Sequence, residues 1–138
     1  MDHKTELLQR VPLFARFGRN ELEQVSRLVD EIDVPAGQEL LSQGAFAQEF
    51  FVISDGSVRV ERDGKVIRSL GPGDFLGEIA LLDGGKRTAS ATAEVPSRLL
   101  VLGHREFHSL LDKFPSVRTA VLEGLAARVR HLMPDLEN

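Results

Sequence analysis

Residues 73–90 read GDFLGEIALLDGGKRTAS, and two side chains in this stretch can do chemistry. Glu78 is a lone carboxylate set among Leu76, Ile79, Leu81 and Leu82. Arg87 follows nine positions later, after a glycine pair and a lysine. An ordinary core segment would hold neither, because unpaired charges are costly to bury. Both charges reach water, or they pair with each other across the glycine loop, or they share a ligand. The third reading has a definite chemistry. GEIALLD is too polar at its start for a central strand and reads as a short helical turn beginning at Gly77. The free N–H groups of such a turn attract anions. Gly77 and Ala80 have no bulky side chain to keep a ligand away. Arg87 offers a planar fork of donors suited to phosphate oxygens. Glu78 can accept hydrogen bonds from a sugar hydroxyl. The ligand so described is a nucleotide of low charge, since one arginine and a few amides cannot match a triphosphate. No GxxxxGK[ST] motif points to one.

The other chemically capable residues form no second constellation. His104 and His108 lie four apart on an expected helix, a spacing that can chelate metal, but HREFH is not HExxH and no third ligand follows nearby. A solvated helix start is the plainer reading, and no metal is expected. His3 and His131 read as surface residues. Strand histidines of the kind a metal-dependent cupin needs are missing. Lys86-Arg87 is one basic pair in an acidic chain, too little for a nucleic-acid surface. No nucleophile–base pair, metal set or acid pair suggests an enzyme. With no cysteine, disulfides, thiol catalysis and zinc-thiolate sites are excluded.

Three kinds of segment must position the pair. Residues 1–33 read as helical: ELEQVSRLVDEI spaces Leu22, Val25, Leu28, Val29 and Ile32 by three and four. Gly18 with Glu21 marks a weakly capped start. VPLFARF before it is a short connector limited by Pro12. Residues 34–102 read as β structure, with short apolar runs punctuated by PAG, SQG, SDG, RDG and GPGD. Val58 and Val60 alternate with Arg59 and Glu61, so one face is buried. Asp63-Gly64 signals a tight hairpin. ATAEVPSRLLVL is a further strand pair. Many short strands with turns about every 8–12 residues imply a small barrel or jelly roll. Residues 104–133 return to helix, broken at Pro115. Phe107, Leu110, Leu111 and Phe114 share one side of the first of these helices. Leu122, Leu125, Val129 and Leu132 form a stripe on the second that suits either core packing or a homodimer seam. Arg128, Arg130 and His131 read as a solvated face near its C-terminus. Phe14, Phe17, Phe46, Phe50 and Phe51 read as core and turn packing.

The whole is 138 residues, 42% hydrophobic and 28% charged, with a net charge of −4. That is one globular domain with a real core. No apolar run could span a bilayer and the charged N-terminus is not signal-like, so a cytoplasmic location is expected. The acidic balance makes nucleic acid an unlikely partner.

GDFLGEIALL followed by KRTASATA resembles the phosphate-binding cassette of cyclic nucleotide-binding domains. That module occurs in the bacterial catabolite activator, the regulatory subunit of the cyclic AMP-dependent kinase and cyclic nucleotide-gated channels. VPLFARF, PAGQELLSQG, EFFVISDGSVRV and HREFHSLLDKFP extend the likeness over residues 7–133. The resemblance implies a β-roll of about eight strands with N-terminal helices and two C-terminal helices. It implies that Glu78 binds the ribose 2′-hydroxyl and that Arg87 pairs with the cyclic phosphate. Backbone amides around Gly77, Ile79, Ala80, Thr88 and Ala89 would complete the anion cradle. Val60, Ile67, Leu70 and Leu76 would line the wall near sugar and base. Leu122, Leu125 or Arg118 on the last helix would cap the base. The Thr88 hydroxyl could reach a guanine 2-amino group, yet similar bacterial cyclic AMP binders also carry Ser or Thr there. Cyclic AMP is the expected ligand, with cyclic GMP as alternative. The implied role is a non-catalytic sensor that relays binding through its C-terminal helices to an unidentified protein or output domain. Activators of the family continue into a helix-turn-helix, whereas this chain ends at MPDLEN, so it could also be the N-terminal part of a longer transcriptional regulator. A ligand-free interaction module of the same fold is the rival class.

Overall fold

The computed structural model describes residues 2–132, and of residues 80, 81, 83, 131 and 132 the backbone only. The chain starts with α1 (His3–Gln9), capped by Asp2, whose side chain accepts from the Thr5 N–H at 2.8 Å. A 3₁₀ turn at Pro12–Phe14 leads to α2 (Arg19–Ser26). At its start the Gly18 N–H donates to the Glu21 carboxylate at 3.0 Å. The helix expected to run through Ile32 stops at Ser26, and Asp30–Val34 is strand β1 instead. The cause is tertiary: these five residues pair one for one with Ser97–Val101. A continuous ladder outweighs the few tenths of a kcal/mol per residue that separate helix propensities. Val29 stays buried, while Ile32 is exposed.

The remaining strands are β2 (Glu39–Leu41), β3 (Glu49–Asp55), β4 (Val58–Arg62), β5 (Lys65–Leu70), β6 (Phe75–Leu76), β7 (Ser90–Ala93) and β8 (Ser97–Gly103). They form two antiparallel four-stranded sheets, ordered β1-β8-β3-β6 and β2-β7-β4-β5. Short helix α3 (Glu78–Asp83) separates β6 from β7, and α4 (His104–Lys113) and α5 (Pro115–Leu132) close the described chain. The fold is the mainly β roll with flanking helices that the sequence implies. The hairpin between β4 and β5 turns on Asp63 and Gly64, with φ of 54° and 79°. Both central residues are left-handed, which matches the twist of the flanking strands.

Two apolar cores share strands β3 and β8. Phe50, Val52, Leu100 and Leu102 face the helices and pack with Leu8, Phe14, Leu22, Phe107, Leu110 and Val117. Their neighbours Phe51, Ile53, Leu99 and Val101 face the other way, toward Val58, Val60, Leu70 and Leu76 inside the roll. Side chains alternate across a strand, so a strand buried on both faces is apolar throughout. Phe50 stacks on Phe107 with centroids 4.6 Å apart, tying α4 to β3. Phe14, Phe17, Phe50 and Phe51 are buried, but Phe46 is 74% exposed, so it packs in no core. Lys86 Nζ lies over its ring, 5.5 Å from the centroid. On α5, Val117 and Val121 are buried and Leu125 packs against the helical core, whereas Leu122 (60%) and Val129 (57%) are exposed. Leu132 and His131 have no described side chain. No helix among the described residues is long and apolar enough to cross a membrane.

Candidate functional site

Arg87 lies between α3 and β7, and its backbone is clamped before its side chain does anything. Its N–H donates to the Ala45 carbonyl at 2.8 Å, and its carbonyl accepts from the Gly44 N–H at 2.9 Å. The buried guanidinium then donates Nη1 to the Gly77 carbonyl at 2.9 Å and Nη2 to the Glu49 carbonyl at 2.6 Å. Gly77 makes this approach feasible. Its φ is +96°, and a Cβ there would meet Arg87 Nη1 at 2.8 Å and the Glu49 carbonyl oxygen at 2.9 Å. Burial pulls the Arg87 pKa below its ordinary value, and the Glu49 charge partly offsets this. Two neutral carbonyls take two of the five guanidinium N–H groups, so a fixed positive charge keeps donors for another acceptor. No carboxylate of the described residues forms an ion pair with it.

Glu78 opens α3, behind the left-handed Gly77. It is 0% exposed. Its Oε1 pairs with Nη1 of Arg128 on α5, and its Oε2 is buried with no hydrogen-bond partner among the described residues. Arg128 also donates Nη2 to the Phe75 carbonyl and lies 5.2 Å from the Phe75 ring centroid. Burial and the nearby Arg68 pull its pKa down to about 10, with Asp74 opposing, which leaves it charged at neutral pH.

Both charges line one cavity of about 630 Å³, open mouth included. Leu41, Val60, Ile67, Leu70 and Leu76 make its apolar wall. Gly77, Ile79, Thr88 and Ala89 stand at the charged end. The spacing of Glu78 and Arg87 alone left ion pair and shared ligand open. In the structure the two do not pair with each other. Ala80 lies in α3, and its side chain falls outside what the structure describes.

Four lining residues escaped the sequence reading: Leu41, Arg62, Arg68 and Arg128. Arg62 donates Nε to the Thr88 carbonyl at 3.1 Å, bracing the strip that carries Arg87. With four arginines against one carboxylate, the cavity is more basic than a single arginine suggests. Arg128 is not part of a solvated face: its side chain is 19% exposed and paired. Arg128 continues the inward stripe of Val117, Val121 and Leu125, a helix phase that the sequence offers beside the one through Leu122. None of the expected base caps lines the cavity. Leu122 faces outward, Leu125 joins the helical core, and Arg118 donates to the Leu111 carbonyl at 3.4 Å. No group of three or more metal-ligating side chains occurs among the described residues, although His104 and His108 have centroids 4.6 Å apart.

Comparison with known proteins follows the same lines. The profile of the cyclic nucleotide-binding domain matches residues 31–114. The cyclic AMP receptor protein of Thermus thermophilus is 31% identical over 131 residues, covering 91% of this chain and 60% of that protein. A cGMP-dependent protein kinase of Caenorhabditis briggsae is 32% identical over 118 residues, covering 80% of this chain and 16% of the kinase. The crystal structure of the Thermus thermophilus catabolite activator protein superposes with a TM-score of 0.80 at 31% identity, covering 91% of this chain and 61% of that one. The chain belongs to the cyclic nucleotide-binding domain family. It spans less than two thirds of the length of these relatives.

Proposed function

We propose that this domain is a non-catalytic sensor of a cyclic nucleoside monophosphate, cyclic AMP first. The carrying observation is the pairing, across one cavity, of a fixed guanidinium with donors to spare and a buried carboxylate with an unpaired oxygen. Arg87 takes the cyclic phosphate, joined by amides around Gly77, Ile79, Ala80, Thr88 and Ala89. Glu78 takes the ribose 2′-hydroxyl. Val60, Ile67, Leu70 and Leu76 cover the sugar and base. These groups bind and orient, and none is a nucleophile with a base beside it. The relative named as a cyclic AMP receptor supports the choice of base.

Cyclic GMP is the second reading. Thr88 and Arg68 both line the cavity, and a hydroxyl and a guanidinium are the groups that guanine edges recruit. A relative named as cGMP-dependent points the same way.

Binding is relayed by a population shift in the C-terminal helices. The ligand can move them only as far as it binds one arrangement better. The receiver is an output domain or partner protein in the cytoplasm, or a second copy engaged through exposed Leu122 and Val129 on α5.

Isothermal titration with cyclic AMP and cyclic GMP, with Arg87→Ala as control, tests this. Binding that the variant loses supports the sensor and ranks the bases. Absence of heat and of thermal shift with both ligands overturns it and leaves the interaction module as the leading account. Hydrolysis of either nucleotide would overturn the non-catalytic assignment.

A further inference from the structure

The strip that carries Arg87 runs ahead of its strand partners just where the site needs it fixed. Strand β7 is paired as far as Ala91 by Leu41 of β2, and as far as Ser90 by Glu61 of β4. Arg87, Thr88 and Ala89 precede these pairs, and a binding site tolerates little slack in the groups that form it. Two neighbours take over from the ladders. On one side is the loop after β2. There the Gln43 N–H donates to Ser90 Oγ at 2.9 Å, the Gly44 N–H donates to the Arg87 carbonyl at 2.9 Å, and the Ala45 carbonyl accepts from the Arg87 N–H at 2.8 Å. On the other side is the tip of the β4–β5 hairpin, where Arg62 Nε donates to the Thr88 carbonyl at 3.1 Å. One side chain ties these two neighbours to each other. Gln43 Nε2 donates to Asp63 Oδ1 at 2.9 Å, and Gln43 Oε1 accepts from the Asp63 N–H at 2.9 Å. Both residues are exposed, so the two bonds compete with water and add little to global stability. What they add is closure: loop, strip and hairpin tip form a ring.

We propose that Gln43 is a positioning residue for the phosphate end: by latching the tip of the β4–β5 hairpin to the loop after β2, it closes a ring around residues 87–90 and fixes Arg87. This rests on the cyclic nucleotide reading. Gln43 acts through Gly44 and Ala45, the next two residues of the chain, which hold the carbonyl and the N–H of Arg87. With the latch closed, the loop cannot swing away from the strip without breaking both Asp63 bonds. With it open, the Arg87 backbone rests on the loop alone and its guanidinium spreads over more positions. The chemistry of the latch is specific. Asp63 presents one acceptor and one donor, and a side-chain amide answers both from a single plane. A carboxylate at position 43 would keep the acceptor, lose the donor and set a like charge against Asp63.

The test exchanges donor for acceptor across the latch. Gln43→Glu is expected to weaken cyclic AMP about threefold to tenfold, the scale of one net hydrogen bond. Adding Asp63→Asn to that variant supplies the missing donor from the other side, at a turn position where asparagine is favoured. The double variant should bind within about twofold of wild type, and Asp63→Asn alone completes the cycle. A double variant as weak as Gln43→Glu would mean that the added charge does the damage, and would overturn the proposal. Undiminished binding by Gln43→Glu would do the same. Two further readouts separate positioning from a merely structural role. Exchange of the Arg87 amide in the free protein should quicken in Gln43→Glu and slow again in the double variant, and an unchanged rate sinks the latch. Phosphorothioate analogues of cyclic AMP, in which sulfur replaces one exocyclic phosphate oxygen, should be discriminated less sharply by Gln43→Glu than by wild type. Discrimination against 2′-deoxy cyclic AMP should stay as it is, because the ribose end is untouched. Equal losses for every analogue would show that Arg87 has not moved relative to the phosphate, and the proposal fails. If the wild-type chain binds no nucleotide, the reading of the cavity fails and this inference with it. If it binds and the Arg87 exchange pattern is absent, the inference alone fails.

Discussion

The Arg87 end and the Glu78 end of the cavity are built on different principles. Arg87 is held by the Ala45, Gly44, Gly77 and Glu49 backbones, all within the roll and its loops. Nothing on the C-terminal helices is needed to place it. Glu78 is buried in the same cavity, yet its partner Arg128 arrives on α5. One end is preorganised by the roll, and the other is completed only when a helix is docked. The division suits a sensor. In the proposed sensor, an end fixed within the roll would add the same affinity to every arrangement and shift no equilibrium, whereas an end that needs a docked helix would give the ligand its differential affinity.

Removing Arg87 attacks the rigid end and has the largest expected effect. Arg87→Ala should weaken cyclic nucleotide binding by about 2–5 kcal/mol, typical of truncating one side of a desolvated charge pair. It also leaves the Gly77 and Glu49 carbonyls without their donor, so a lowered Tm is expected beside the lost heat of titration. Amide exchange in α5 of the free protein should not change, because neither hydrogen bond of the Arg87 guanidinium involves that helix. Faster α5 exchange in this variant would show that the two ends are not separable. Glu78→Ala attacks the other end. Binding should fall by about 1.5–3 kcal/mol, the worth of a hydrogen bond to a charged group. Here α5 exchange in the free protein should rise, since Arg128 is left without its partner. Near-normal titrations of both variants would remove the site assignment.

The same division explains what could be read from the sequence. Glu78 and Arg87 stood out because each is a lone charge in an apolar or small-residue context, and the cost of burial makes such residues visible. Gly77 stood out with them, as the start of α3. The β4–β5 hairpin was legible because Asp63-Gly64 provides the left-handed pair that its turn requires. Strand β3 was legible as an apolar run ending at a turn signal, although Phe50 to Ile53 are buried and show no period. The end of α2 was not legible, because what converts Asp30–Val34 to strand is Ser97–Val101, almost seventy residues away. Arg128 was lost to a choice of phase. Stripes through Leu122 and through Val121 are both plausible on α5, and only the packed structure shows that the second is buried. What the sequence hid was therefore whatever depends on long-range pairing, and the helix-borne half of the site falls in that class.

Gly124 offers a way to disturb the contingent end without touching a charge. Gly124→Ala gains about 1 kcal/mol of intrinsic helix propensity. Against this, the new methyl meets Phe75 Cζ at 2.6 Å, and that ring is packed against Phe50. Overpacking of this kind costs about 1–3 kcal/mol, so the helix should form as before and dock less well. Cyclic AMP binding is expected to fall by about 1 kcal/mol, less than on losing Glu78, with faster exchange over residues 121–130 and an unaltered roll. A variant that binds and exchanges like the wild type would mean that the Phe75 ring yields and that this contact does not fix the docking of α5.

Thr88 sharpens the comparison at its weakest point, the identity of the base. It follows Arg87 on the rigid strip, is exposed and lines the cavity. Its hydroxyl therefore belongs to the preorganised end, and any base preference it confers should be independent of α5. If it meets a guanine 2-amino group, Thr88→Ala should weaken cyclic GMP by about 0.5–1.5 kcal/mol, one neutral hydrogen bond, and leave cyclic AMP within error. Gly124→Ala should then weaken both nucleotides alike, because it acts through the helix and not through the base. If Thr88→Ala weakens both ligands equally, the hydroxyl serves the phosphate and the base is chosen elsewhere, with Arg68 the next side chain on the cavity wall to replace.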